Sequence, residues 1–559
     1  MLAGIATSVR NFLGRFLRPT LVLPSAIVVG AAFVIYFFMQ SASTPTPQGL
    51  QAAVVQPKEK DRPEAPEFAV GLDWLNTEKP FTLAELKGRI VLLDFWTLCC
   101  INCIHTLPDL AKLEERYPGV LVVIGVHSPK FENEKRTASI LKAVLRYEIK
   151  HPVINDADHK IWRSFGVRSW PTLVLIDPDG KYYGNVSGEG HLEVLEEHIQ
   201  KLIKVHKANK TLKETPIHFK LAKESLTSPL FFPGKVLADA ASDRIFIADS
   251  TNHRVVITNL AGKKIAIAGS GKEGMKDGKF ADATFSDPQG MCLDGNTLYV
   301  ADRKNHAIRA LDLKNETVTL VAGTGEQDRS GRAKGGNALK IGLNSPWDLL
   351  LIKDRIYIAM AGHHQIWYYD ITKKTSHPYA GSGREDLVDG SLAESALAQP
   401  SGLATDGKQI YVADSEISAI RAVPLPGVKG DVSTIVGEGL FEFGDKDGVG
   451  DKVRLQHALG VAYLDGKLYV ADTYNSKIKL IDPAKRSCET YLGDPPGWLK
   501  AKMFDEPSGV TISGGKMYIA DTNNHRIQVV DMKTKQTTTL QLEGVLSVRR
   551  EAVVSKDKK

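Results

Sequence analysis

Cysteine is scarce in this 559-residue chain, and its five copies are unevenly placed. Cys292 and Cys488 stand alone and far apart, so no structural disulfide framework is suggested. The other three crowd into residues 99–103, with His105 just beyond, but the second ligand pair that a structural zinc site needs is missing. No metal and no cofactor is expected. Basic blocks are also missing from the folded part. The formal charge of +6 is spread over the whole chain, and the closing lysines (Lys556, Lys558, Lys559) read as a solvated tail. That argues against nucleic acid as a partner. Hydrophobic content of 43% and charge of 24% are those of globular domains.

Only one long stretch lacks charge altogether, residues 21–39, and Arg10, Arg15 and Arg18 precede it. At about 1.5 Å per residue a 19-residue helix roughly spans a bilayer core. The positive flank predicts a single-pass anchor in a cell inner membrane, with residues 1–20 cytoplasmic and the main domains periplasmic or extracytoplasmic. A cleaved signal peptide ending at Ser41-Ala42-Ser43 is the competing reading. Residues 40–66 are rich in Pro, Gln and Ser and read as a flexible linker.

The chemistry concentrates at residues 94–108, where an apolar strand carrying Asp94, Phe95 and Trp96 leads into Cys99, Cys100, Ile101, Asn102 and Cys103. Cysteines three apart in the first turn of a helix share one face and can close a disulfide. Cys100 meets the free N–H groups and positive dipole end of that helix, the place of an attacking thiol. Cys103, one turn deeper, is the resolving thiol. Asp94 is an ionisable group on an otherwise apolar strand, which calls for a function such as proton transfer with Cys103.

Strand, Asp-Phe-Trp, Cys-x-x-Cys and Pro108 together resemble the thioredoxin family. A second stretch, residues 166–180, is similar to that family's cis-proline loop and following strand. The resemblance implies a cis Trp170–Pro171 bond opposite the cysteines, with Trp170, Trp96 and Cys99 positioning a partner. Cys99 stands where the family usually has Trp, and Ile101-Asn102 replaces the Gly-Pro of thioredoxin, so the redox poise does not carry over. Strand runs at 90–95, 121–126 and 172–176 alternate with helical stretches at 100–117, 134–147 and 192–206, which gives an α/β domain over 67–205. Residues 206–230 connect it to a second domain of different character.

From residue 231 to 546 a core of the form Ile-Phe-Ile-Ala-Asp-Ser-Thr-Asn-His-Arg recurs six times. Its marker positions are Asp249, Asp302, Met360, Asp414, Asp472 and Asp521. A unit of about 50 residues with short strands and Gly-rich turns fits a four-stranded propeller blade. Six units predict one β-propeller, followed by a charged tail at 547–559. The repeat resembles the NHL family, and its Asn-His pairs read as turns between the second and third strands of each blade, with Asn in the left-handed conformation. The third repeat departs at Met360-Ala361-Gly362-His363-His364.

The expected fold is therefore multidomain: a transmembrane helix, an α/β thioredoxin-like domain and an all-β six-bladed NHL propeller. From 67 to about 546 the chain resembles the NHL-repeat-containing protein 2 family, while the anchor resembles those of bacterial membrane-tethered reductases. Two functions are compatible with these signals. In one, Cys100, Cys103, Asp94 and Pro171 perform thiol–disulfide exchange on protein partners carrying disulfides or thiols, and the propeller recruits them. In the other, the thioredoxin-like unit is a non-catalytic docking module of a binding or scaffold protein, and the propeller holds the ligand.

Overall fold

The computed structural model describes residues 54, 57–58, 61–224, 228–330, 334–493 and 502–548. The first folded domain is a six-stranded sheet in the order β1-β4-β3-β2-β5-β6. The strands are β1 (Trp74–Leu75), β2 (Ile90–Trp96), β3 (Leu121–His127), β4 (Val153–Asn155), β5 (Thr172–Ile176) and β6 (Tyr182–Ser187). β2 runs parallel to β3 and antiparallel to β5, so it is central, and all seven of its residues are buried. A strand covered on both faces reads as a continuous apolar run, which leaves Asp94 as the exception to explain. Helices α1 (Ile101–Arg116), α2 (Thr137–Arg146) and α3 (Leu192–Ala208) cover the faces. Residues 61–66, expected in the linker, belong to this domain: Glu64 bridges to Lys181, and Pro63 accepts from the Tyr182 N–H. The connection after α3 also lies on it, with Ile217 and Phe219 against its core.

The second domain is a ring of six antiparallel sheets. Blade 1 holds Lys235–Asp239, Arg244–Asp249, Arg254–Thr258 and Lys264–Ala268, and blade 6 holds Pro507–Ser513, Lys516–Asp521, Arg526–Asp531 and Thr537–Thr539. The ring closes when the segment after blade 6 pairs with the outer strand of blade 1, Glu543 opposite Lys263. Lys235 reaches across the central channel, donating to the carbonyls of Ser401 (2.8 Å) and Leu459 (2.6 Å) and pairing with Asp348 at 3.3 Å. Burial lowers its ammonium pKa, and the Asp348 charge opposes that.

The repeat motif is a stitch between blades. Asp249 accepts from Asn252 Nδ2 (2.9 Å) and Arg254 Nε (2.8 Å) and from the Phe231 N–H (2.7 Å). The left-handed residue is His253 (φ 51°), not Asn252 as expected. Asn is better used as a donor to the buried carboxylate. The turned imidazole presents Nδ1 to the next blade, where it accepts the Asp287 N–H at 3.2 Å. His306, His364 and His525 do the same for Ser345, Gln399 and Phe232.

The expected membrane-spanning helix is corrected. Among the described residues no helix is long and apolar enough to cross a membrane. The longest, α3, has 17 residues and carries charge along its length, whereas a bilayer core asks for about 20 apolar residues. The stretch 21–39 lies outside the described residues.

Candidate active site

Cys100 caps α1. Its extended backbone (φ −76°, ψ 116°) ends the loop from β2, and its Sγ accepts the Cys103 N–H at 3.3 Å. Cys100 is partly exposed, whereas Cys99 and Cys103 are buried. All three are free thiols. Burial, then the hydrogen bond with Cys100, push the Cys103 thiol well up. Burial, then the Glu134 carboxylate, do the same to Cys99. Trp170–Pro171 is cis, and the Trp170 indole donates to the Ser128 carbonyl at 2.9 Å while its ring leans on Trp162. Trp170 and Cys100 border one cluster with Trp96, Cys99, Cys103 and Phe131.

Asp94 has no exposed surface, and neither carboxylate oxygen has a hydrogen-bond partner among the described residues. Burial raises its pKa to about 7, with His151 acting weakly in the other direction. It lies close enough to Cys103 for its charge to raise that thiol further. Buried acids of this kind mark functional sites.

Sequence reasoning missed several residues. Glu134, fully buried, accepts from Thr97 Oγ1 (2.7 Å) and from the N–H groups of Cys99 (2.9 Å), Lys130 (2.8 Å) and Phe131 (3.0 Å). It ties the cysteine loop to the loop after β3. Nothing in the local sequence separates it from a surface glutamate.

The larger omission is the propeller. Residues just before each innermost strand, Phe232, Asp287, Ser345, Gln399, His457 and Glu506, all have φ between 48° and 63°. These form a ring of turned side chains, and five of them meet the thioredoxin-like domain. Gln399 spans Cys100: its Oε1 accepts the Ile101 N–H (2.9 Å) and its Nε2 donates to the Cys99 carbonyl (3.0 Å). Ser345 meets His105 Nε2 at 2.7 Å, and Glu506 takes Arg146 (2.8 Å) and Asn133 (3.0 Å). Phe232 lies under the Arg146 guanidinium, and His457 against Phe131. Ile101, 1% exposed, sits among Trp347, Ala361 and Leu459. Ala361 of the irregular third repeat is thus among the residues that Ile101 packs against. The signal was present as the polar residues Asp287, Ser345, Gln399 and Glu506 directly before Pro288, Pro346, Pro400 and Pro507, but periodicity reads such a position as turn.

Glu148, His253 and Glu273 bring their ligand atoms within 4.8 Å of one another between the domains. His253 Nδ1 accepts a backbone N–H, so in the neutral ring Nε2 carries the proton and faces Glu148 at 4.0 Å. A protonated Nε2 is not free to ligate a metal.

Residues 88–182 match the thioredoxin-like family, and 285–311 and 504–530 match the NHL repeat. The human NHL repeat-containing protein 2 is 44% identical over 466 residues, covering 77% of this chain and 63% of that protein. Over its thioredoxin-like and propeller domains the chain is similar to the NHL repeat-containing protein 2 proteins. Protein SUPPRESSOR OF QUENCHING 1, chloroplastic, of Arabidopsis thaliana is 43% identical over 79% of this chain and 44% of its own length. The chain thus spans less than two thirds of either relative. Its thioredoxin-like domain is similar to thiol-disulfide oxidoreductase ResA of Bacillus cereus, 32% identical over 25% of this chain and 76% of that protein. The relatives matching both domains of the family are a chloroplastic plant protein and vertebrate proteins. This corrects the expected location in a bacterial inner membrane; nothing in these similarities supports the anchored, bacterial-type assignment or the membrane as partner.

Proposed function

We propose that the chain is a thiol–disulfide oxidoreductase acting on protein disulfides through Cys100 and Cys103, with the propeller choosing the partner. The observation that carries this reading is Asp94: a buried carboxyl without a hydrogen-bond partner among the described residues, behind a resolving thiol that burial holds protonated. A docking module has no use for so costly a group. The Cys100 thiolate attacks a partner disulfide, forms a mixed disulfide and releases the first partner sulfur as a thiolate. Cys103 then gives its proton to Asp94, and its sulfur attacks Cys100 Sγ. The Cys100–partner bond breaks and the second partner sulfur leaves as a thiolate. Water protonates both leaving sulfurs. The dithiol is oxidised and the partner disulfide is reduced. Pro171 and Trp170 line the approach, since Gln399 and Ile101 close the other side of the motif.

The second reading is a binding or scaffold protein. It is favoured by that same closure, which uses Ile101 and the Cys99 carbonyl as docking points. Reduction of a protein disulfide by the reduced full chain, compared with its Cys100→Ser variant, separates the two. Equal consumption of substrate by both would end the first reading.

A further inference from the structure

Asp94 needs a route by which its proton reaches water. In the register of the central strands Asp94 lies beside Gly125 of β3 and Leu173 of β5. A Cβ at Gly125 would stand 3.0 Å from Trp96 Nε1 and 3.6 Å from His151 Nε2. Glycine therefore keeps open a small space at the carboxyl's edge, and both nitrogens beside it are buried without a partner among the described residues. His151 is 3% exposed, and its other nitrogen, Nδ1, lies 3.2 Å from Glu114 Oε2. Glu114 sits on α1, one quarter exposed. It lines, with Leu107, Tyr147, His151 and Phe219, a groove of about 800 Å³ between the thioredoxin-like domain and the propeller residues Glu273 and Lys304.

We propose that His151 and Glu114 form the proton exit of the active site, carrying the proton that Asp94 takes from Cys103 across the Gly125 space and out into this groove. The route rests on the oxidoreductase reading above. It adds two positioning residues in a relay that touches neither reacting sulfur. The groups facing Asp94 are Cys103 from α1 and His151 from the turn before β4, while Gly125 and Leu173 do not titrate. Those facing His151 are Asp94 and Glu114, and the groove beyond also carries Lys112, Glu115, Glu148 and Lys150, with Glu273 and Lys304 from the propeller. In each turnover Asp94 gains one proton as the Cys103–Cys100 bond forms, and His151 passes one proton to Glu114 and water. The relay consumes no further reactant.

The test is stopped-flow reaction of the reduced full chain with excess dithio-bis-nitrobenzoate. Attack by Cys100 releases one thionitrobenzoate and leaves another bound, and attack by Cys103 releases the second. In the wild type the second release should be a single phase between about pH 6 and pH 8. In His151→Phe it should split. The fast phase should have an amplitude that follows the ionised fraction of Asp94, and the slow phase, at least about tenfold slower, should grow as pH falls. The first release should be unchanged. Glu114→Gln, on the surface, should show the same split more weakly, and it carries the test if His151→Phe does not fold. A single phase at the wild-type rate in the folded variants would overturn the relay and leave the oxidoreductase reading intact. A wild type that never releases the second thionitrobenzoate would overturn both.

Discussion

Replacing Asp94 with Asn tests the buried acid through stability rather than catalysis. The change keeps the shape and removes the ionisation. Burial lifts the Asp94 carboxyl to about 7, while an unfolded aspartate titrates near about 3.9. The folded state thus binds a proton that the unfolded state releases, a difference of about three units or about 4 kcal/mol. This contribution is therefore present in full below about pH 4 and is lost as pH rises through about 7, and well over half of the loss falls between about pH 5 and pH 8. Asn shows no such dependence. The stability of Asp94→Asn relative to wild type should climb by about 2–3 kcal/mol over that range. The assay is urea unfolding of both reduced full-length proteins, followed by tryptophan fluorescence, at fixed ionic strength. A difference that stays constant with pH would mean that Asp94 titrates as an ordinary surface acid, and the reasoning from burial would fail.

Gln399→Ala strips one buried donor and one buried acceptor of their partners across Cys100, at a cost of about 1–3 kcal/mol for each. Hydrogen exchange should show the Ile101 amide losing protection, and alkylation of Cys100 should speed up; unchanged protection would show that the propeller does not hold the motif. In the wild type, iodoacetamide should modify Cys100 before Cys103 or Cys99, because Cys100 is partly exposed and the other two are buried. First labelling at Cys103 would reverse the assignment of attacking and resolving thiols.

Much of the thioredoxin-like domain was legible because its signals are local. A buried strand, a Cys-x-x-Cys at a helix start and an X-Pro step before another strand each fit within about ten residues. The six blades were legible because the repeat restates one turn, and the structure explains that turn through Asp249 and His253. Its finer detail was not: both Asn and His fit a left-handed turn by propensity, and the choice falls to His because its Nδ1 then reaches the next blade. The contacts that shape the site are long-range. Gln399 meets Cys99 across 300 residues, and His151 approaches Asp94 only after β3 and β4 pair. No spacing rule joins such positions, and an isolated Gln or His reads as surface.

The central claim is that Cys100 and Cys103 exchange disulfides with proteins, and trapping tests it most directly. The full-length chain with Cys103→Ser, reduced and then offered a disulfide-bonded protein such as insulin, should accumulate a mixed disulfide through Cys100, released by dithiothreitol and absent from the Cys100→Ser, Cys103→Ser double variant. The wild type under the same conditions should pass through that species and deliver reduced insulin chains. No covalent adduct in the Cys103→Ser protein, together with no insulin reduction by the wild type, would contradict the account and leave the thioredoxin-like domain as a docking module on its propeller.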